Sequence, residues 1–151
     1  MKFEKVTLKM VREKEYNYNS LKIISTLDIV KLVNQYEDIA NNTEENIYVV
    51  CLNTKNQILN FTEIAKGGLN FCNLDMKAIF KSVLLCNASK FILIHNHPSG
   101  DSTPSREDYK TTEKIKGASK LLDIQFLDHI VIAENSYSSC FWGGIKNGRK
   151  W

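Results

Sequence analysis

The amino-acid sequence predicts a mixed α/β domain in which helices flank one β-sheet. Amphipathic helical segments alternate with short strand-like runs along the chain, which favours a sheet covered by helices. One run, Phe91-Ile92-Leu93-Ile94, is continuously apolar, and this is typical of a strand buried on both faces. The 151 residues, 43% of them hydrophobic, are enough for one ordinary domain with a sizeable core.

The first part of the chain predicts one strand and one helix. Residues 3–11 alternate apolar and polar side chains, the period of a half-buried strand, and the charged, Tyr- and Asn-rich residues 12–20 predict a loop. Residues 26–41 predict a helix, because apolar side chains recur there at three-and-four spacing. We therefore interpret residues 1–44 as a strand-plus-helix lead-in to the same domain.

Residues 45–142 are predicted to form the core of the domain. An Asn-rich turn at 53–56 between two strand-like runs predicts a β-hairpin. The predicted elements after residue 45 are strands over 47–52 and 57–62, a helix over 75–88, a strand over 91–94, a helix over 105–122, and strands over 124–133 and 137–142. Residues 143–151 predict a slightly basic C-terminal tail.

Composition argues against several classes of protein. The net charge of only +3 predicts no strong, non-specific affinity for nucleic acid or for an acidic membrane. The four cysteines are scattered with no Cys-x-x-Cys pair, so they predict neither a disulfide framework nor a thiolate zinc site. No signal peptide and no membrane-length apolar run are visible, and we expect a cytoplasmic protein.

Residues 95–108 hold two of the three histidines and both prolines. If the apolar strand continues through them, His95 and His97 project to the same side, with Cα atoms ~6.6 Å apart. Asp108, in the first turn of the following helix, would point back at them. Two His and one Asp leave a fourth position open, which is the arrangement of a catalytic zinc site.

Other interpretations of this stretch remain open. Ser105 and Asp108 have the spacing of a capping box, which starts a helix and needs no metal. A histidine on a strand is more often a surface residue or a hydrogen-bonded core residue than a ligand. Two His and one carboxylate also bind non-haem iron, so the residues alone do not identify the metal.

The same residues resemble a known family. His-x-His followed after seven residues by Ser-x-x-Asp is similar to the JAMM (MPN-plus) metalloprotease signature. The fuller string His-Asn-His-Pro-Ser-Gly-Asp-x-x-Pro-Ser-x-x-Asp resembles the RadC branch, as does the later segment Leu127-Asp128-His129-Ile130-Val131-Ile132. The likeness runs from about residue 45 to 138 and more faintly back to residue 25.

The resemblance implies a cytidine-deaminase-like MPN/JAB fold in which His95, His97 and Asp108 hold Zn²⁺. It also implies a catalytic Glu before an upstream strand, which polarises the attacking water. Glu45 is in that position, with Glu63 as the fallback, although a solvated loop acid is the other interpretation of Glu45. The hydroxyl of Ser105 would donate to the oxyanion. The implied activity is a zinc-dependent peptidase or isopeptidase with an unknown protein or peptide substrate.

The sequence differs from the usual RadC pattern in ways that bear on its function. RadC proteins often carry a helix-hairpin-helix segment linked to DNA binding, and the first 45 residues contain no Gly-rich hairpin of that kind, so the chain resembles a short form. The alternative function is a DNA-repair or DNA-processing accessory without hydrolase activity, against which the low net charge counts. For Asp128-His129, orienting the site and pairing across the sheet are equally open. The sequence indicates no oligomeric state.

Overall fold

Helices and strands alternate along most of the chain in a computed structural model, which describes residues 2–17, 22–67 and 74–141. In chain order the elements are α1 (Thr26–Glu37), a short 3-10 helix (Ile39–Asn41), β1 (Asn46–Leu52), β2 (Ile58–Lys66), α2 (Met76–Leu85), β3 (Lys90–Asn96), α3 (Arg106–Leu121), β4 (Gln125–Ala133) and β5 (Ser136–Ser139). Among the described residues, no helix is long and apolar enough to cross a membrane.

The five strands form one mixed sheet in the order β2-β1-β3-β4-β5. β3 and β4 are parallel and are connected through α3, whereas the other neighbouring strands are antiparallel. β1 and β2 form the predicted hairpin, although β2 continues beyond residue 62 because Lys66 pairs with Asn46 at the start of β1. The predicted mixed α/β architecture is confirmed.

β3 is the central strand, and it separates two apolar cores. Ile92 and Ile94 belong to the core that α1 covers, whereas Phe91 and Leu93 belong to the core beneath α2 and α3. All four side chains have 0% exposure. The prediction of a strand buried on both faces is confirmed.

The helix starts follow from side-chain caps. The carboxylate of Asp75 accepts a hydrogen bond from the backbone N–H of Lys77 and begins α2, satisfying a donor that has no partner within the helix. α1 ends earlier than the predicted residue 41, because Asp38 adopts a left-handed backbone conformation with φ of 49°. Residues 39–41 therefore form a separate 3-10 helix rather than a last turn of α1.

The strand predicted over residues 3–11 is wrong. Residues 2–17 form neither helix nor strand, and the apolar side chains of this segment are exposed, from Met10 at 46% to Phe3 at 95%. Alternation indicates a strand only where a sheet edge pairs with the backbone and a core covers one face. Here the core on the α1 side is covered by the helix itself.

Some predictions fall where the structure gives no description. The basic tail over residues 143–151 lies outside the described residues, as do Cys72 and the last residue of the strand predicted over 137–142, which ends at Ser139. Of the described cysteines, Cys51 and Cys140 are buried and Cys86 is half-buried. The two buried thiols act as small apolar side chains.

Candidate metal centre

The two histidines lie at the carboxyl end of the central strand. His95 is fully buried on β3, between Ile47 of β1 and Val131 of β4. His97 follows the strand, and its backbone N–H donates to the carbonyl of Ile132 at 2.8 Å, which continues the pairing with β4. The Nε2 atoms of the two rings are 3.0 Å apart. The structure thus brings together the pair that two-residue spacing predicts.

Asp108 reaches the same point from the first turn of α3. Its backbone N–H donates to Ser105 Oγ at 3.2 Å, and its Oδ2 accepts from the backbone N–H of Ser105 at 2.6 Å, forming a capping box. Oδ1 is 3.4 Å from Nε2 of His95, and Oδ2 is 3.7 Å from Nε2 of His97. The helix-cap and metal-ligand interpretations are therefore compatible, because Oδ1 is not used by the cap.

The atoms that converge here carry lone pairs that can accept a hydrogen bond. A divalent cation binds to lone pairs of the same kind. His97 Nδ1 lies 2.8 Å from the carbonyl of Asp101, and because a carbonyl only accepts, the proton of a neutral His97 ring is on Nδ1 and Nε2 carries a lone pair. Oδ1 of Asp108 is buried and has no hydrogen-bond partner within the described part of the chain. A buried acceptor of this kind is rare without an ion or a water.

The distances between these atoms also fit a metal. Ligands about 2.0–2.1 Å from a tetrahedral ion are about 3.3 Å from one another. The separation of the two Nε2 atoms, 3.0 Å, and that of His95 Nε2 from Asp108 Oδ1, 3.4 Å, lie around this value. The residues present therefore fit a small divalent cation at His95, with His97 and Asp108 as neighbouring ligand candidates. Ligand atoms within 4.8 Å of one another also group His95 and His97 with Glu45, and His95 and Asp108 with His129.

The pKa values of the cluster are shifted by burial and by the groups that face one another. The carboxylate of Asp108 raises the pKa of His97. Burial acts to raise the pKa of Asp108, but the facing His97 ring and the hydrogen bonds with Ser105 outweigh it, so the pKa is lowered. Burial, together with the charge of His97, lowers the pKa of His95 well below its ordinary value. His95 is accordingly a neutral imidazole, the form that binds metals.

Glu45 is the carboxylate that the structure places beside the histidines. One of its oxygens lies within 4.8 Å of a ring nitrogen of both His95 and His97. The side chain is half-buried, and burial raises its pKa, an effect that His97 partly opposes. The fallback, Glu63, is exposed on β2 opposite Tyr48 and belongs to no such cluster among the described residues.

Asn96 holds the segment that carries Glu45, a contact between distant residues that the sequence pattern does not predict. Its Oδ1 accepts from the backbone N–H of Asn46 at 2.8 Å, and its Nδ2 donates to the carbonyls of Glu44 at 2.9 Å and Asn42 at 3.2 Å. Asn96 is fully buried, and these bonds bracket Glu45 on both sides. The available signal in the sequence is that Asn96 lies between the two histidines, so its side chain projects to the opposite face of the strand.

His129 contacts the site, whereas Asp128 points elsewhere. His129 Nε2 is 2.9 Å from Nδ1 of His95, which is a predicted metal ligand. Of the two interpretations of Asp128-His129, this contact favours orientation of the site by His129. Asp128 accepts hydrogen bonds from Thr26 and Ser139 and from the backbone N–H of His129. Burial raises the pKa of Asp128 to about 6.

Comparison with known proteins agrees with this architecture. Residues 23–144 match the family model described as a RadC-like JAB domain. A UPF0758 protein of Methanosarcina barkeri (strain Fusaro / DSM 804) is 42% identical over 118 residues, which are 78% of this chain and 51% of that protein. A UPF0758 protein of Bacillus pumilus (strain SAFR-032) is 44% identical over 103 residues, 68% of this chain and 46% of that protein.

A third relative, a UPF0758 protein of Clostridium perfringens (strain 13 / Type A), is 36% identical over 128 residues, 85% of this chain and 56% of that protein. The chain thus spans about half the length of the curated relatives it matches. The family model covers α1 and the whole sheet, together with the metal-ligand candidates. The family that the sequence motifs indicate is therefore confirmed, and the chain belongs to the RadC-like JAB domain family.

Proposed function

We propose that this protein is a zinc-dependent hydrolase of peptide or isopeptide bonds. His95, His97 and Asp108 would hold the metal, and Glu45 would be the general base. The observation that carries the proposal is the buried Oδ1 of Asp108, which lies 3.4 Å from Nε2 of His95 and has no hydrogen-bond partner among the described residues. The peptide-bond specificity rests on the resemblance to JAMM proteases.

Each residue has a separate task in this reaction. A Zn²⁺ ion held by His95, His97 and Asp108 would supply a Lewis acid, which makes water a stronger nucleophile near neutral pH. Glu45 removes the proton from the attacking water and passes it to the leaving amine, a role suited to a carboxylate whose pKa is raised by burial. Asn96 fixes the backbone on both sides of Glu45, so this carboxylate is held in place before the substrate arrives.

Ser105 is available to the substrate as well as to the helix. Its side chain is exposed, and its Oγ accepts from the backbone N–H of Asp108, so its own proton is not needed for the cap. That proton would stabilise the negative charge that develops on the carbonyl oxygen of the scissile bond. A single donor of this kind contributes about 2.7–4 kcal/mol.

The first test is the metal content and hydrolysis of the chain purified without chelators. We expect one zinc per chain by elemental analysis, and cleavage of members of a fluorogenic peptide and lysine-isopeptide library. Glu45→Gln should retain the zinc but lose about 100-fold or more of the hydrolysis rate. Glu44→Gln is the matched control, because Glu44 is the adjacent, exposed carboxylate.

Three outcomes would contradict the proposal. Iron in place of zinc would overturn the metal assignment, since the same ligand types also serve non-haem iron. Equal rates for Glu45→Gln and the wild type would exclude Glu45 as the base. Tight, steeply salt-dependent DNA binding without hydrolysis would favour the DNA-processing function instead.

A further inference from the structure

A chain of buried hydrogen bonds connects the far side of His95 to α3. His95 Nδ1 is 2.9 Å from His129 Nε2, and His129 Nδ1 is 2.7 Å from Thr112 Oγ1. Thr112 Oγ1 also lies 2.7 Å from the backbone carbonyl of Asp108, one helical turn earlier. His95 and His129 have 0% exposure and Thr112 has 1%. Three elements, β3, β4 and α3, thus contribute to one water-excluded path.

The direction of each hydrogen bond in this path is fixed by its last group, the backbone carbonyl of Asp108. The carbonyl of Asp108 can only accept, so the single hydroxyl proton of Thr112 is donated to it. Thr112 Oγ1 then accepts from His129, which places the proton of that ring on Nδ1. His129 Nε2 is left with a lone pair and accepts from His95, whose ring proton is therefore on Nδ1.

We propose that Thr112 and His129 are positioning residues that hold His95 in the tautomer protonated on Nδ1, so that its Nε2 lone pair faces the metal site. This inference rests on the proposed function in one respect, which is that His95 is a metal ligand. Fixing the tautomer of a ligating histidine through its second nitrogen is a general way to orient the ring and raise its basicity.

The opposite direction conflicts with the geometry. If Thr112 donated to His129, its oxygen and the carbonyl oxygen of Asp108 would face each other at 2.7 Å with no proton between them. If His129 carried protons on both nitrogens, the chain would bury a cation where there is no solvent exposure. A neutral path from Asp108 to His95 satisfies every donor in it.

The path also couples two of the proposed ligands. It starts at the backbone of Asp108 and ends at the ring of His95, while the carboxylate of Asp108 faces the other nitrogen of the same ring at 3.4 Å. A displacement of the first turn of α3 therefore changes both the carboxylate and the imidazole. The ligand set is positioned as a unit rather than residue by residue.

Nuclear magnetic resonance of metal-free protein labelled with ¹⁵N-histidine tests the inference directly. The chain contains only three histidines, so the spectrum has three rings to assign. Two-bond ¹H–¹⁵N correlations, recorded above the ordinary pKa of histidine, distinguish a protonated ring nitrogen from an unprotonated one. We expect His95 to be protonated on Nδ1 in the wild type and in Thr112→Ser, which keeps the hydroxyl.

Thr112→Val removes the acceptor for His129 without changing the shape of the side chain. We expect His95 to become a mixture of tautomers and zinc affinity, measured by competition with a chelating dye, to fall about 10–100-fold. Thr111→Val is the matched control, because Thr111 is the neighbouring buried threonine on α3 and is not part of the path. It should leave both measurements unchanged.

The results separate this inference from the proposed function. A wild-type His95 protonated on Nε2, or a Thr112→Val protein whose His95 remains entirely protonated on Nδ1, would overturn the tautomer proposal. If Thr112→Val does not fold, the wild-type spectrum alone decides. A protein with the expected tautomer that neither binds zinc nor hydrolyses peptides would refute the proposed function and leave the hydrogen-bond path standing.

Discussion

Zinc binding should stabilise the fold, because the proposed ligands come from segments that only folding brings together. His95 is on β3, His97 follows it, and Asp108 begins α3, with Nε2 and carboxylate atoms within 3.0–3.7 Å. An ion that binds only the folded chain adds RT ln(1 + [Zn]/Kd) to the free energy of unfolding. At free zinc 100-fold above Kd, this amounts to about 2.7 kcal/mol.

This free energy corresponds to a measurable change in melting temperature. For a chain of this size each kcal/mol shifts Tm by about 2–4 °C, so saturating zinc should raise Tm by roughly 5–11 °C. Scanning calorimetry in zinc-buffered solutions measures the shift, and Tm should rise further with each tenfold increase in free zinc. Chelation should reverse the effect completely.

His97→Gln provides the control for this experiment. The His97 side chain is 18% exposed, so its replacement leaves no large cavity, and the loss of its bond to Asp101 costs about 0.5–1.5 kcal/mol with or without metal. The zinc-dependent part of the shift should disappear in the variant. An equal zinc response in both proteins, or none in the wild type, would refute the assignment of this site.

Three further predictions concern single residues. Burial raises the pKa of Asp128 to about 6, so the folded state binds a proton that the unfolded state has already released above pH 4. The protonated carboxyl therefore contributes about 3 kcal/mol to the free energy of unfolding at low pH, and this contribution is lost as the pH rises from 4 through 6. Urea titrations of Asp128→Asn should lack that decrease. Asn96→Asp should lose about 1–3 kcal/mol of stability in urea, because an oxygen that can only accept replaces the Nδ2 group that donates two hydrogen bonds. Glu45-dependent hydrolysis should fall with it. Ser105→Ala should lower the free energy of unfolding by about 1 kcal/mol, because it removes the side chain that caps α3, whereas Ser105→Gly should lower it by only a few tenths. A lower kcat in Ser105→Gly would therefore report the oxyanion role and not a loss of stability.

Local spacing made the central features predictable. Continuous apolar residues over 91–94 indicate a doubly buried strand, and the two-residue period of that strand then requires His95 and His97 to share a side. The capping spacing of Ser105 and Asp108 fixes the start of α3 to one residue. Each inference depends on atoms fewer than five residues apart, where backbone geometry alone determines the result.

Contacts between distant residues were not predictable in the same way. Thr112 meets His129 across 17 residues, and Asn96 meets the backbone of Asn46 across 50. Such pairs depend on the order of strands in the sheet, which hydrophobic periodicity does not determine. The error over residues 3–11 has the same origin, since alternation records what a segment can pair with and not whether a partner edge is available.

The two carboxylate oxygens of Asp108 make different contacts, and this difference predicts how the metal-free protein behaves. Oδ2 serves the helix cap, and the cap does not need Oδ1, so removal of a metal leaves the start of α3 intact. The two apolar cores on either side of β3 likewise contain none of the proposed ligands. We therefore expect chelated protein to keep its far-ultraviolet circular dichroism at room temperature while its Tm falls. Loss of helical signal on chelation would mean that the ion organises the fold, as in zinc fingers, and that the preformed acceptor cluster does not exist without it.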